Sequence, residues 1–202
     1  MGDARSPRER TPGARRLVLL GAPNSGKGTQ AAIIAERLGV PAISTGDMLR
    51  GAVAAQSGLG QRVKGVMEAG ELVDDGLMAE VVAERLRQPD ARRGFLLDGY
   101  PRTLRQAQDC ERMLAGLGEA LDAVVLLDVP EESLMKRALG RGRADDRAEV
   151  VHERLRVYRE ATEPLVGYYR ERGLLRAVDG DQPIAVVTAS VLRALEVVSG
   201  VA

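Results

Sequence analysis

The amino-acid sequence predicts an α/β protein with a central parallel five-stranded sheet and helices on both faces. Short apolar runs alternate along the chain with longer stretches of helical periodicity, and turn residues separate them. One stretch contains helices but no strand, so a small helical part should project from the sheet. At 202 residues, the chain is long enough to bury one proper core.

The elements follow in order from these patterns. Residues 1–16 contain Arg, Pro and Gly and almost no apolar side chain, so we expect a disordered tail. The apolar runs predict strands over residues 17–20, 41–44, 94–97, 123–129 and 174–178. The helical pattern predicts helices over residues 30–38, 46–56, 60–69, 75–87, 103–117, 131–139, 149–172 and 183–199. Residues 17–202 should therefore form one domain.

The projecting part is predicted between residues 44 and 73, where two short helices follow each other without a strand. A segment outside the sheet can move relative to it, so this part could close as a clamp.

Composition excludes several classes of protein. The 29 basic and 29 acidic residues cancel, so no nucleic-acid or membrane partner is expected. Cys110 is the only cysteine, which excludes an internal disulfide and a multi-cysteine zinc site. No apolar run approaches the roughly 20 residues of a membrane span. We therefore expect a cytoplasmic protein that acts on small molecules. We also expect a monomer, which these observations do not address.

The segment GAPNSGKGT, residues 21–29, lies between the first predicted strand and the first predicted helix. Its glycines let backbone N–H groups approach phosphate oxygens, and Lys27 can reach terminal phosphates. The segment predicts a nucleoside triphosphate site. Gly28 stands where a Ser or Thr usually binds magnesium, so the metal must be held differently.

The third predicted strand ends in Asp98, and ligands collect at the carboxyl ends of parallel strands. We therefore expect Asp98 beside the phosphate loop, where it would hold Mg²⁺ through water ligands. Arg102 and Gln106 follow one helical turn apart on the same face. An arginine and an amide side by side suit a phosphate and a base edge.

Further arginines predict a second phosphate site. Arg50 lies on the projecting helical part, which suggests recognition of a second phosphorylated molecule and hence transfer between two sites. A polyphosphate clamp is predicted around the glycine-rich segment 140–146 from the grouping of Arg137, Arg141, Arg143 and Arg154. Neither Cys110 nor His152 has partners for nucleophilic or metal chemistry, and phosphoryl transfer requires none.

Six segments in order resemble the adenylate kinase family. They are GAPNSGKGTQ (21–30), STGDMLR (44–50), MEAGELV (67–73), GFLLDGYPRT (94–103), GRGRADD (140–146) and ATEPLVGYY (161–169). Together they cover nearly all of the chain after the tail. The resemblance implies reversible transfer from Mg·ATP to AMP, giving two ADP. It also implies that residues 44–73 bind AMP and that residues 140–146 form a very short lid.

The resemblance also implies roles for individual residues. The residues implied in catalysis are Lys27, Arg102, Arg143 and Arg154. Those implied in binding ATP are Asn24, Ser25, Gly26, Lys27, Gly28, Thr29, Arg137, Arg141 and Gln182. Those implied in binding AMP are Thr45, Arg50, Glu71, Leu72, Val73, Gly99, Tyr100, Pro101, Arg102, Gln106, Arg143 and Arg154.

Two features depart from the general family pattern. The lid segment between Arg141 and Arg143 lacks the long insertion and the four metal ligands of zinc-lid relatives, so we expect no zinc. Asn24 stands where the family usually has glycine. Asn tolerates a left-handed backbone better than most residues, so the loop should still form.

Two alternatives stay open from the sequence. A UMP/CMP kinase shares the phosphate loop and the arginines, although Thr45 favours AMP. A nucleotide-binding sensor without catalysis is the other alternative, and Asn24 is the only feature that indicates it. Lys27 and Asp98 argue against a sensor, as do the retained arginines.

Overall fold

The computed structural model describes residues 15–141 and 147–196. Five strands form one sheet in the order β2-β3-β1-β4-β5, and all neighbouring strands are parallel. The strands are β1 (Arg15–Leu20), β2 (Ala42–Ser44), β3 (Gly94–Asp98), β4 (Ala123–Asp128) and β5 (Leu175–Asp179). The predicted fold class is confirmed.

Helices connect the strands. The α-helices of the described ranges are α1 (Lys27–Leu38), α2 (Thr45–Ala54), α3 (Gly58–Ala69), α4 (Asp75–Leu86), α5 (Leu104–Gly116), α6 (Glu131–Arg141), α7 (Ala148–Val157), α8 (Pro164–Glu171) and α9 (Ile184–Glu196). A 3-10 turn, Pro89–Arg93, lies between α4 and β3 and was not predicted. In these same ranges, no helix has both the length and the apolar character that a membrane span needs.

Both faces of the sheet are covered, because successive side chains of a strand point to opposite sides. In β1, Val18 and Leu20 belong to the cluster that α4, α5 and α8 complete. Leu17 and Leu19 point the other way and pack with α1 and α9. All four side chains are at most 3% exposed. The central strand β1 is therefore buried on both faces. Because β3 pairs with it in parallel, the loops after β1 and β3 leave the sheet at the same edge.

The sheet begins earlier than the sequence pattern predicts. Arg15 and Arg16, which we had assigned to the tail, belong to β1. The Arg16 N–H donates to Asp122 Oδ2 at 2.7 Å, and its guanidinium pairs with Glu119 at 2.8 Å. These bonds allow a charged residue to lie in a strand at 6% exposure. The remaining tail residues, 1–14, lie outside the described ranges.

The single helix predicted over residues 149–172 is wrong. Helix α7 ends at Val157, a π-helical turn spans Tyr158–Thr162, and α8 begins at Pro164. Proline has no N–H and its ring clashes with the preceding turn, so it cannot continue a regular helix interior. The Glu163 N–H donates instead to Tyr158 O at 2.8 Å.

The segment predicted to project, residues 44–73, begins at the last residue of β2 and otherwise contains α2 and α3 without a further strand. The two helices cross at backbone distance, because a Cβ atom added to Gly60 would lie 2.1 Å from Ala52 O. Only glycine fits at this crossing. Leu49 and Val63 join the core cluster on one face of the sheet, so the segment is packed against the body of the domain.

Candidate active site

A cleft of about 550 Å³ opens at the carboxyl edge of the sheet. Its walls are the loop after β1, the end of β3, the helices α2 and α3, and the end of α7. This is the edge at which parallel α/β sheets bind ligands, because the strand ends and helix N-termini meet there.

The loop after β1 has the backbone conformation of a phosphate cradle. Gly21 and Gly26 have φ angles of 146° and 93°. A side chain at Gly21 would also collide with Ser25 Oγ at 2.7 Å and Leu127 O at 2.8 Å. Asn24 adopts a left-handed φ of 68°, so the loop forms with asparagine at this position. Its Oδ1 is buried and accepts no hydrogen bond from the described residues.

Lys27 opens α1 and lies against its own loop. Its Nζ donates to Gly21 O at 2.7 Å and to Ala22 O at 2.8 Å, and lies 3.5 Å from Ser25 Oγ. An ammonium group has three donors, so these three oxygens can occupy it fully. The charge is thus held at the mouth of the phosphate loop.

Asp98 lies beside the phosphate loop, where the strand pattern predicts it. A Cβ atom added to Gly28 would lie 3.7 Å from Asp98 Oδ2. The pairing of Leu19 with Asp98 in the sheet produces this approach, because it aligns the ends of β1 and β3.

Thr45 joins α2 to the end of β3. The residue is 1% exposed, and its hydroxyl donates to Gly99 O at 2.9 Å. Gly99 has a φ of 81°, and a side chain there would lie 2.9 Å from Thr45 Oγ1 and 3.0 Å from Arg102 Nη2. The helix cap itself is Ser44, which accepts from the Asp47 N–H.

Arg102 is held by hydrogen bonds at both ends. Its Nε donates to Gly99 O at 2.8 Å, and its carbonyl accepts from Thr162 Oγ1 at 2.9 Å. Burial lowers the pKa of the Arg102 guanidinium, and the nearby Arg154 and Arg50 lower it further, while Asp98 opposes this shift. A group of close arginines favours an anionic ligand, which relieves their mutual repulsion.

The Gln106 side chain is 2% exposed and has two protein partners. Its Oε1 accepts from the Arg102 N–H at 2.7 Å, and its Nε2 donates to Asp75 Oδ1 at 2.8 Å. Asp75 also accepts from Thr103 Oγ1 at 3.0 Å. The sequence pattern had not singled out Asp75 as a site residue, because the contact joins residues 31 positions apart.

Two further arginines are paired with acidic neighbours. Arg50 pairs with Asp47 on the same helix. Arg137 donates to Asp181 Oδ1 at 2.8 Å, to Gly180 O at 3.1 Å and to Ser25 O at 3.3 Å. Arg137 therefore connects the phosphate loop with the loop after β5.

The cleft brings together most of the predicted site residues. Those that line it are Asn24, Gly26, Lys27, Gly28, Thr29, Thr45, Arg50, Glu71, Leu72, Val73, Asp98, Gly99, Pro101, Arg102, Gln106, Arg137 and Arg154. Arg143 lies outside the described residues, and only the helical backbone of Arg141 is described.

Three predicted site residues do not line the cleft. Ser25 belongs to the phosphate loop, but it is only 2% exposed and does not face the cleft. The Tyr100 ring lies in the core, where burial raises its pKa and its hydroxyl donates to Gln106 O at 3.2 Å. Gln182 is exposed and donates to Asp179 at 2.7 Å. The Tyr100 side chain therefore contacts the Gln106 backbone from the core and not from the cleft.

Sequence reasoning missed several residues that line the cleft: Met67, Gly70, Met78, Val157, Tyr158 and Thr162. The apolar ones read as ordinary core positions in the sequence. Thr162 and Tyr158 face the cleft because the helix changes to a π-helical turn, and such turns are common at functional sites.

Comparison with known proteins agrees with this geometry. A family model described as adenylate kinase matches residues 19–174. An adenylate kinase of Chelativorans sp. (strain BNC1) is 50% identical over 186 residues, covering 87% of this chain and 96% of that protein. An adenylate kinase of Methylobacterium radiotolerans is 51% identical over 191 residues, covering 90% and 96%. One of Brucella ovis is 48% identical over 190 residues, covering 89% and 98%. The chain belongs to the adenylate kinase family.

Proposed function

We propose that this protein is an adenylate kinase, which reversibly transfers the terminal phosphoryl group of ATP to AMP and produces two ADP. The observation that carries the proposal is the shared cleft. The phosphate loop with Lys27 lines this cleft, and so do Arg102 and Gln106. Two anion sites that face one another can hold a donor and an acceptor phosphate in line.

On the donor side, the loop of residues 21–29 binds the ATP phosphates through its backbone N–H groups and the N-terminus of α1. Lys27 exchanges its carbonyl partners for terminal phosphate oxygens. We assign Arg137, Arg141 and Gln182 to the same nucleotide. In support of this, Arg137 already bridges the phosphate loop and the segment before Gln182.

On the acceptor side, Arg50 and Arg102 bind the AMP phosphate. Thr45, Gly99 and Gln106 hold the nucleoside, together with the backbone of residues 71–73. Arg154 lines the cleft near Arg102 and stabilises the charge of the phosphoryl group in transfer. We assign Arg143 the same task.

We assign Mg²⁺ to the Asp98 carboxylate. Asp98 lies beside the loop, Gly28 offers no hydroxyl, and the described residues contain no group of three or more metal-ligating side chains. This fits Mg²⁺, which keeps several waters and binds through one or two carboxylates plus phosphates. When bound, the ion neutralises phosphate charge. Asp98 would hold it through water.

The residues of the cleft need only position the substrates and neutralise charge, because phosphoryl transfer requires no strong nucleophile from the protein. The acceptor is an oxygen of AMP. We infer that residues 44–73 close over AMP and exclude water. We also assign segment 140–146, of which residues 142–146 lie outside the described ranges, to a short lid over ATP without zinc.

We also propose that the protein acts as a cytoplasmic monomer without nucleic-acid or membrane partners. Light scattering after gel filtration should give a mass near the 21.6 kDa of one chain. A dimer mass would contradict the monomer. Metal analysis of the purified protein should find no stoichiometric zinc.

The proposed function is tested by measuring ADP formation from ATP and AMP with and without Mg²⁺. We expect rapid formation with Mg²⁺ and almost none after chelation. UMP and CMP, offered in place of AMP, should react poorly. A preference for either would indicate a UMP/CMP kinase, and nucleotide binding without ADP formation would indicate a sensor.

A further inference from the structure

The Gln106 carboxamide belongs to a closed ring of hydrogen bonds. Its Oε1 accepts from the Arg102 N–H at 2.7 Å, and its Nε2 donates to Asp75 Oδ1 at 2.8 Å. Asp75 Oδ2 accepts from Thr103 Oγ1 at 3.0 Å, and that hydroxyl accepts from the Gln106 backbone N–H at 3.1 Å. Every bond of the ring joins a donor to an acceptor.

The ring allows only one orientation of the amide. A backbone N–H can only donate, and a carboxylate can only accept. If the Gln106 carboxamide turned over, its Nε2 would face the Arg102 N–H and its Oε1 would face Asp75. Both contacts would then be repulsive in a site where Gln106 is 2% exposed and water cannot substitute.

The fixed amide leaves one N–H and one oxygen lone pair for a ligand. This pair matches adenine, which presents a donor at its 6-amino group and an acceptor at the neighbouring ring nitrogen. A 6-oxopurine carries an acceptor at position 6 and a donor at N1, which is the reverse pattern. Only the turned-over amide would match it.

We propose that Asp75 is a positioning residue that selects AMP over a 6-oxopurine monophosphate by holding the Gln106 carboxamide in one orientation. The inference rests on the proposed function, because it concerns the acceptor site of the same cleft. It adds a specificity-determining residue that lies outside the segments from which the site was predicted.

Asp75 does not serve mainly to begin its helix. The cap of α4 is Asp74, which accepts from the Leu77 N–H at 3.0 Å. The cap of α5 is Thr103, which accepts from the Gln106 N–H whether or not Asp75 is present. Replacing Asp75 with Asn therefore removes neither cap. It does replace one of the two carboxylate oxygens, which accept from Thr103 and Gln106, with an NH₂ group that can only donate.

The test compares kcat/KM for AMP and for inosine monophosphate, its 6-oxo counterpart, with ATP as donor. In Asp75→Asn, the Asn amide can donate to Gln106, so the two orientations become closer in energy. We expect the AMP-to-IMP ratio of kcat/KM to fall about tenfold or more, since a good bidentate base contact discriminates by that order. The KM for ATP should stay within about twofold.

The matched control is Asp74→Asn, which removes the same charge from the same helix start and keeps a good capping residue. Its ratio should equal that of the unmodified protein. In a Gln106→Ala background, Asp75→Asn should change the ratio no further. Asp75→Glu should recover part of the ratio, because it keeps the carboxylate.

The outcomes separate the two proposals. An unmodified protein that makes no ADP from ATP and AMP refutes the proposed function. An active unmodified protein whose ratio Asp75→Asn leaves within twofold overturns the role of Asp75. A ratio that still falls in the Gln106→Ala background overturns it as well. If Asp75→Asn does not melt cooperatively, Asp75→Ser is measured under the same criteria, because its shorter side chain cannot bridge both donors.

Discussion

The two sides of the cleft differ in how their polar side chains are held. On the side that we assign to ATP, Lys27 and Arg137 contact oxygens of the surrounding loops, and the proposed binding exchanges these contacts for phosphate oxygens. On the acceptor side, Thr45, Arg102 and Gln106 are fixed by backbone groups that need not move. In the proposed assignment, the acceptor base site is therefore formed in advance, whereas the donor phosphate site forms with its ligand.

This difference has a physical cause. Lys and Arg are long side chains whose charge finds protein oxygens when no anion is present. On the acceptor side, Thr45 and Gln106 are buried, and each would lose a hydrogen bond without gaining water if it turned away. Side chains that are already ordered lose less conformational entropy on binding than mobile ones. This favours selectivity for the base on the acceptor side.

The largest expected effect comes from Arg102. Arg102→Ala removes a charge-stabilising group that is already in place, so kcat/KM for AMP should fall about a hundredfold to a thousandfold. Steady-state rates measure it, with circular dichroism as the folding check. Arg105→Ala is the control, because Arg105 is exposed and lies 3.9 Å from its partner Asp109. A near-normal rate for Arg102→Ala would refute the assigned role.

Gly60 tests whether the acceptor side depends on the crossing of α2 and α3. Gly60→Ala places a Cβ atom against Ala52 O, and overpacking of this kind costs about 1–3 kcal/mol of unfolding free energy. We expect a lower melting temperature and a higher KM for AMP, with KM for ATP unchanged. Gly65→Ala on the same helix meets no atom within 4 Å apart from its chain neighbours and the backbone of its own helix, so it should be neutral or slightly stabilising. Equal melting temperatures for the two variants would contradict the close backbone contact between α2 and α3 at Gly60.

Asn24 tests the conformation of the donor loop. A left-handed backbone costs most L-residues about 1–2 kcal/mol, and Asn and Gly bear it best. Asn24→Ala should therefore lower stability by about 1 kcal/mol, whereas Asn24→Gly should preserve or raise it. Denaturant unfolding with and without ATP measures both. A more stable Ala variant would show that the loop does not need its left-handed residue.

The smallest effect is expected at Asp181. Its pairing with Arg137 is partly exposed, and such pairs contribute less than about 1 kcal/mol. Asp181→Asn should release Arg137 for the donor nucleotide and lower KM for ATP by about twofold at low salt. Glu131→Gln removes a charge from the start of α6 without touching Arg137 and serves as the control. A raised KM would mean that Asp181 orients Arg137 for binding.

The sequence predicted the sheet well, because each buried strand is a short apolar run with strong local character. The predicted first helix was less accurate at its start. Helix α1 begins at Lys27, and Gly26 before it has a left-handed φ of 93°. The helix boundary depends on this turn, which apolar periodicity does not detect. The long helix over residues 149–172 failed for a related reason, since Pro164 interrupts a pattern that is otherwise continuous.

The residues that line the candidate site were predictable where they lie in contiguous segments. The phosphate loop, Asp98 and Arg102 lie in such segments, so residue type and spacing alone indicated a triphosphate site beside an acceptor phosphate. Tyr100 could not be assigned in this way, because the same segment points one side chain into the cleft and the next into the core.

By itself, the sequence determined the class of sheet, the glycine-rich loop after β1 and the residue types that we assign to phosphate, because these depend on local composition and spacing. Only the tertiary structure decided that Asp75 meets Gln106, that Thr162 supports Arg102 and that Arg137 bridges two loops. These contacts join residues 31 to 112 positions apart. Such contacts depend on how strands align and helices pack, and no local pattern in the sequence predicts them.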